Sequence, residues 1–252
     1  MELSADGSQL LIASGRSGFL LKPQTSRWSH LPENEHLSML LAARAGLRAP
    51  PFGLLRLADG SLAYLVRRFD RSDESPPRGL RKIDLCQLAD KPSERKAEGS
   101  AEECARLVAA HTRDPRQALL RLFELFLVSY WLGNGDLHLK NISLLEPIYG
   151  AGCTISPIYD VVSTSAYYPD KNPMLLSIDG RRANIGRTHF VRFGAACRLS
   201  CEDVEARIDR MLALEEEAIA LLRRSLLPRD LQVHYERALK KRTRALRAAN
   251  LR

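Results

Sequence analysis

Residues 115–133 constrain this chain more than any other stretch. Leu119, Leu120, Leu122, Phe123, Phe126, Leu127, Tyr130 and Trp131 fall at helical spacing and make a wide apolar face, and Gly133 supplies a stop. So apolar a helix has to be covered by other elements. A length of 252 residues provides for that, as one large domain or one domain with two lobes. With 45% hydrophobic and 27% charged residues, disorder of the whole chain is excluded. No apolar run approaches the roughly 20 residues of a membrane span, and MELSADGS lacks the basic flank and apolar stretch of a secretory signal. The five cysteines are an odd number without a C-x-x-C pair, so a reducing cytoplasm is expected rather than a disulfide framework or zinc site.

Upstream of the long helix the pattern is β-rich. MELSA, QLLIA and FLLKPQ read as short strands separated by DGS and SGRSG turns. Residues 32–46 read as a helix, with Pro32 in its first turn, Glu33 and Glu35 at its positive end and Gly46 as its stop. GLLRLAD and SLAYLVRRF are two more strands, joined at Asp59-Gly60. Two polar stretches follow, 71–80 as a loop or lobe boundary and 89–103 as a weak segment. Beyond the long helix, ISLLEP and CTISPIYD read as a hairpin, and the chain is helical from about 201, with a break at Pro228. The expected fold class is α+β and bilobal. A small β-rich lobe (1–70) precedes a larger, mostly helical one (71–252) with an embedded hairpin.

The net charge of +8 is concentrated at the end. Residues 221–252 hold ten basic residues against Asp230 and Glu236. Such a helix can meet nucleic acid or an acidic partner, but no aromatic or Gly-rich reading element accompanies it, which favours a solvated face.

The polar residues that carry chemistry cluster just past the long helix: Asp136, His138, Lys140 and Asn141, with Asp160 after the hairpin. A carboxylate in a tight loop, an amide five residues on and a second carboxylate make a workable magnesium–phosphate site. Lys22, at a strand end, can reach the phosphates, and Glu35 on the next helix can pair with it. Singly these residues have bland readings: a surface lysine, a glutamate on a helix dipole, a turn aspartate, a loop histidine. Their order along the chain is harder to obtain from packing alone.

The stretches LPENEHLSMLLAARAG, YLVRRFDR, LGNGDLHLKNISLL, SPIYDVVSTSAYY and LSIDGRR resemble the HipA family of bacterial Ser/Thr kinases, over roughly residues 9–195. The resemblance implies a bilobal protein-kinase-like fold that uses ATP and Mg²⁺. It implies Asp136 as catalytic base with Lys140 and His138 near the phosphates, and Asn141 and Asp160 as metal ligands. Tyr159 is placed beside the nucleotide, and Lys22 is the strand lysine. It implies that Arg67, Arg68 and Phe69 form the hinge near the adenine, with Asp70 close to the ribose. The resemblance also implies a toxin of a toxin–antitoxin module, with an aminoacyl-tRNA synthetase as protein substrate and a helix-turn-helix antitoxin as partner. In split systems a separate small protein matches the N-terminal subdomain of longer toxins. DNA is then met only through the antitoxin. The family's phosphate-binding S-I-S-G-x-Q-x-K segment has no counterpart here, and Ser14–Gly18 reads as a hairpin turn, so the expectation is an N-terminally truncated, short form. Lys96-Ala97-Glu98 stands where the family often has K-Y-E. Two alternatives stay open: a catalytically weak remnant that binds nucleotide or an antitoxin, and a small-molecule kinase, which the R-F-D-R and S-I-D-G-R stretches disfavour.

Overall fold

The computed structural model describes residues 17–72, 74, 78–146, 149–169 and 171–248, and the backbone of two short strands before them. Those strands, β1 (Glu2–Leu3) and β2 (Leu10–Leu11), pair antiparallel. The DGS turn and most of the 14–18 turn lie outside the described residues.

The first layer is a three-stranded antiparallel sheet of β3 (Phe19–Pro23), β4 (Phe52–Arg56) and β5 (Leu62–Arg67), in the order β3-β5-β4. The turn between β4 and β5 is built as the Asp59-Gly60 pair suggests. The Asp59 carboxylate accepts from the Ser61 amide at 2.9 Å, and Gly60 takes a φ of +83°. The register sets Lys22, on the edge strand β3, opposite Tyr64. Helix α1 (Leu31–Arg44) packs on this sheet, with the His36 ring 5.6 Å from that of Phe52 on β4.

The second layer is helical and built around α4. The short α2 (Leu85–Leu88) and α3 (Ala101–His111) precede α4 (Pro115–Leu132). Asp114 caps α4 by accepting from the Gln117 amide at 3.1 Å, Pro115 occupies its first turn, and Gly133 ends it in the left-handed region at φ +78°. Phe123, Phe126 and Tyr130 meet Phe190 and Phe193 of α5 (Arg187–Ala196) with ring centroids 5.2 to 6.2 Å apart. Such pairs contribute about 0.5–1.5 kcal/mol each beyond the area they bury. Helices α6 (Cys201–Leu212), α7 (Glu215–Arg223) and α8 (Arg229–Arg247) complete the layer.

A second antiparallel sheet, of β6 (Arg81–Asp84), β7 (Ser143–Glu146) and β8 (Thr154–Ile155), contacts α2 and α4. β7 and β8 are the expected hairpin. β6 was not expected: its four residues carry one large apolar side chain, Ile83, too short a pattern to stand out. The 89–103 stretch also ends inside α3, whose Ser100 cap accepts from the Glu103 amide at 3.1 Å. The basic end is not a wholly solvated face. Helix α8 buries Leu231, Tyr235, Leu239, Arg242 and Leu246 against α4 and the turn at Thr164–Ala166.

Candidate active site

Lys22 is the centre of the site. Its Nζ donates to Glu35 Oε1 at 2.7 Å and is also bonded to the Asp160 carboxylate. β3, α1 and the segment after β8 therefore converge on one ammonium. Glu35 is buried, its side chain 5% exposed. That burial, with the nearby Asp160 charge, outweighs the lysine and pushes the Glu35 carboxyl up to about 7. Burial works against the charge on Lys22 as well, but Glu35 and Asp160 together raise its pKa. Asp160 sits at φ +53°, a backbone conformation aspartate tolerates better than most residues.

A cleft of about 200 Å³ opens beside this group, with Leu20, Pro50, Tyr64 and Val66 on its apolar side. Arg67, Arg68, Phe69 and Asp70, the residues of the hinge reading, line it as well. Arg68 grips Asp70 with two hydrogen bonds, of 2.9 and 2.8 Å, and Arg71 adds a third at 3.1 Å. Burial opposes ionisation of Asp70, but these arginines and Lys82 outweigh it and hold the carboxyl below its ordinary range. Asp70 thus lines the cleft with its carboxylate already engaged.

Phe69 and Tyr159 face each other at 5.3 Å, and Lys82 lies 5.6 and 4.9 Å from the two ring centroids. Lys82, on the unforeseen strand β6, is a site residue that sequence reasoning missed. The Tyr159 hydroxyl donates to the Lys140 carbonyl at 2.6 Å and is bonded to Ser143. Tyr159 is thereby a strut between the cleft and the loop that follows α4.

That loop is stiffened from within. The Asn134 side chain accepts from the Asp136 amide at 3.3 Å, and Asn141 Nδ2 donates to the Asp136 carbonyl at 3.2 Å. His138 is 7% exposed and its Nδ1 has no partner among the described residues. Burial lowers its pKa, with the Asp136 charge acting in the opposite sense. The Lys140 ammonium donates to Ser93 at 3.0 Å, and the Lys96 carbonyl accepts from the Leu139 amide at 3.0 Å. The Lys96-Ala97-Glu98 stretch therefore lies directly against the loop. Asp136, His138, Lys140, Asn141 and Asp160 all line a second, larger groove of about 1070 Å³. Lys22, Glu35, Lys82, Tyr159 and Asp160 border both spaces, so cleft and groove adjoin.

Two further fastenings had no prior reading. Asn34, beside Glu35, bonds the amide and carbonyl of Ser163, three residues past Asp160. Thr164 Oγ1 accepts from the Gly135 amide at 3.0 Å and donates to the Gly133 carbonyl at 3.1 Å. The run Ser163-Thr164-Ser165, three residues past Asp160, is the available signal.

The chain has relatives among known proteins. A Haemophilus influenzae protein named as a kinase is 30% identical over 172 residues, 65% of this chain and 50% of its own length. The kinase-named Y4mE of Sinorhizobium fredii is 30% identical over 225 residues, 85% of this chain and 53% of its own. The chain thus spans about half the length of these relatives. Among solved structures, Shewanella oneidensis HipA, in a complex with HipB and operator DNA, superposes with a TM-score of 0.79 at 21% identity. That match covers 91% of this chain and 58% of the HipA chain. A Helicobacter pylori proinflammatory kinase, CtkA, gives 0.65 at 12% identity, over 90% of this chain and 87% of its own. These likenesses show an α+β, kinase-like fold. The HipA-like C-terminal domain model matches residues 4–219, and the chain belongs to that family.

Proposed function

We propose that this chain is an ATP- and Mg²⁺-dependent Ser/Thr protein kinase of the HipA type. The observation that carries the reading is Lys22 bridging Glu35 and Asp160 at the junction of cleft and groove, with Asp136 and Asn141 on the groove wall. The adenine would enter the cleft that Leu20, Tyr64, Val66 and Phe69 help to line. Lys22 directs the phosphates, and Glu35 fixes where Lys22 points. Asn141 and Asp160 offer the amide and carboxylate oxygens Mg²⁺ prefers, and they would hold it where it offsets phosphate charge. Asp136 orients the acceptor hydroxyl and accepts its proton.

By likeness to its relatives, the chain would act as the toxin of a toxin–antitoxin pair in the cytoplasm, with an aminoacyl-tRNA synthetase as acceptor and a helix-turn-helix antitoxin as partner. A direct check is calorimetric titration with ATP, with and without Mg²⁺, of the wild type and Asp160→Asn. The reading predicts Mg²⁺-dependent binding that Asp160→Asn weakens. Absence of nucleotide binding in the wild type contradicts it.

A further inference from the structure

Helix α8 lies beyond residue 219, where the family match ends, yet it reaches the loops that carry the site. We propose that Tyr235 and Arg242 on α8 are positioning residues for phosphoryl transfer. They hold the loop bearing Asp136, and the segment following Asp160, in register with the helix bearing Glu35. This deepens the kinase reading and rests on it.

The two residues are seven positions apart, two helical turns, so they share one face of α8. Tyr235 is fully buried and its hydroxyl lies 3.0 Å from Ser38 Oγ. Ser38 donates to Asn34 Oδ1 at 3.1 Å and accepts from the Ser163 amide at 3.2 Å. Through that pair Tyr235 touches both α1 and the segment after Asp160.

Arg242 is 7% exposed, and no carboxylate among the described residues pairs with it. Its Nη2 donates to Ser165 Oγ at 2.7 Å, and its Nη1 has no partner among the described residues. The guanidinium lies 5.7 Å from the Tyr130 ring centroid. It presses on Gly133, the first residue of the loop: a Cβ there would collide with Nη1 and stand 2.8 Å from Ser165 Oγ. The Ser165 amide and Thr164 Oγ1 donate to the Gly133 carbonyl at 3.3 and 3.1 Å. Arg242 therefore backs the point where α4 ends and the loop to Asp136 begins.

Burying a guanidinium without a counter-charge is costly, and an apolar side chain of similar volume is often neutral or stabilising in such a place. A group that only filled space would be better replaced by methionine. The position of Arg242 instead ties the backbone of two loops to α8, at a distance where small displacements matter for transfer.

The test uses the full chain with Arg242→Met, Arg242→Lys and Tyr235→Phe, measuring melting temperature, kcat and KM for ATP, and amide hydrogen exchange. The expected result for Arg242→Met is an unchanged or raised melting temperature. Its kcat falls about 100-fold with KM unchanged, and exchange quickens only in residues 133–141 and 160–166. Arg242→Lys, which keeps a donor for Ser165, recovers part of kcat. Tyr235→Phe shows the same pattern more weakly. Full kcat with unchanged exchange in Arg242→Met overturns the proposal, as does a loss that tracks a lowered melting temperature with faster exchange throughout. A wild type without transfer defeats the kinase reading instead. Exchange then decides alone: local quickening supports the brace, and unchanged exchange removes it.

Discussion

Asn34 holds the backbone of Ser163 from both sides, its Nδ2 donating to the carbonyl at 3.0 Å and its Oδ1 accepting the amide at 2.9 Å. The neighbour of Asn34 is Glu35, and Ser163 follows Asp160 by three residues. One buried amide side chain thus sets the separation that Lys22 spans. Asn34→Ala leaves the Ser163 carbonyl without its partner in the interior, while the amide keeps Ser38. The expected loss is about 2–3 kcal/mol of stability, read from urea unfolding midpoints, because unpaired buried groups cost 1–3 kcal/mol each.

Lys22→Met removes the ammonium from two carboxylates at once. The nucleotide Kd is expected to rise about 10- to 100-fold, the equivalent of the 1.5–3 kcal/mol in a hydrogen bond to a charged group. Titration with ATP measures it. An unchanged Kd would mean that Lys22 does not face the phosphates.

Phe69→Ala opens one wall of the cleft and removes a ring from the tilted pair with Tyr159. A rise in Kd for ATP of about tenfold is expected from the lost contact. Lys82→Met leaves both rings in place and is expected to weaken binding less. Competition between ATP and a base-free triphosphate separates the two effects, since only the ATP affinity should respond to Phe69→Ala.

Much of this site was legible in the sequence because its parts are local. The Lys22–Glu35 pair joins a strand end to the next helix, and the Asp136-to-Asn141 spacing lies in one loop. Tyr159 and Asp160 follow a hairpin whose turn is marked by glycines. The misses are of two kinds. Lys82 sits on a four-residue strand that owes its conformation to pairing with β7, a long-range cause that leaves little local pattern. Asn34, Ser163 and Arg242 act across separations of 77 to 129 residues through one or two hydrogen bonds, and no periodicity encodes such contacts. Arg242 was hidden further by its company, since a charge run does not show which one of its members is turned inward.

Glu236 gives a pH-dependent signal. Hydrogen bonds from Arg223 and Lys240 hold its carboxyl at about 2, below the ordinary 4.5. Folded protein therefore binds this proton less readily than unfolded chain. The stabilisation is fully present above the ordinary carboxyl range and is lost as pH falls from there towards 2. Glu236→Gln is expected to be less stable than wild type at pH 7, with the gap narrowing below about pH 4.5. Urea midpoints at pH 7 and pH 3 test it, and a gap that widens with acid would contradict the assignment.

The central claim is that these residues transfer phosphate. The direct measurement is labelling of a bacterial lysate from γ-labelled ATP, comparing the wild type with Asp136→Asn and Asp160→Asn. The predicted result is one dominant labelled protein, carrying phosphate on serine or threonine, that disappears in both variants. Labelling that persists in both variants, or a wild type that binds ATP and Mg²⁺ yet labels nothing, would contradict it.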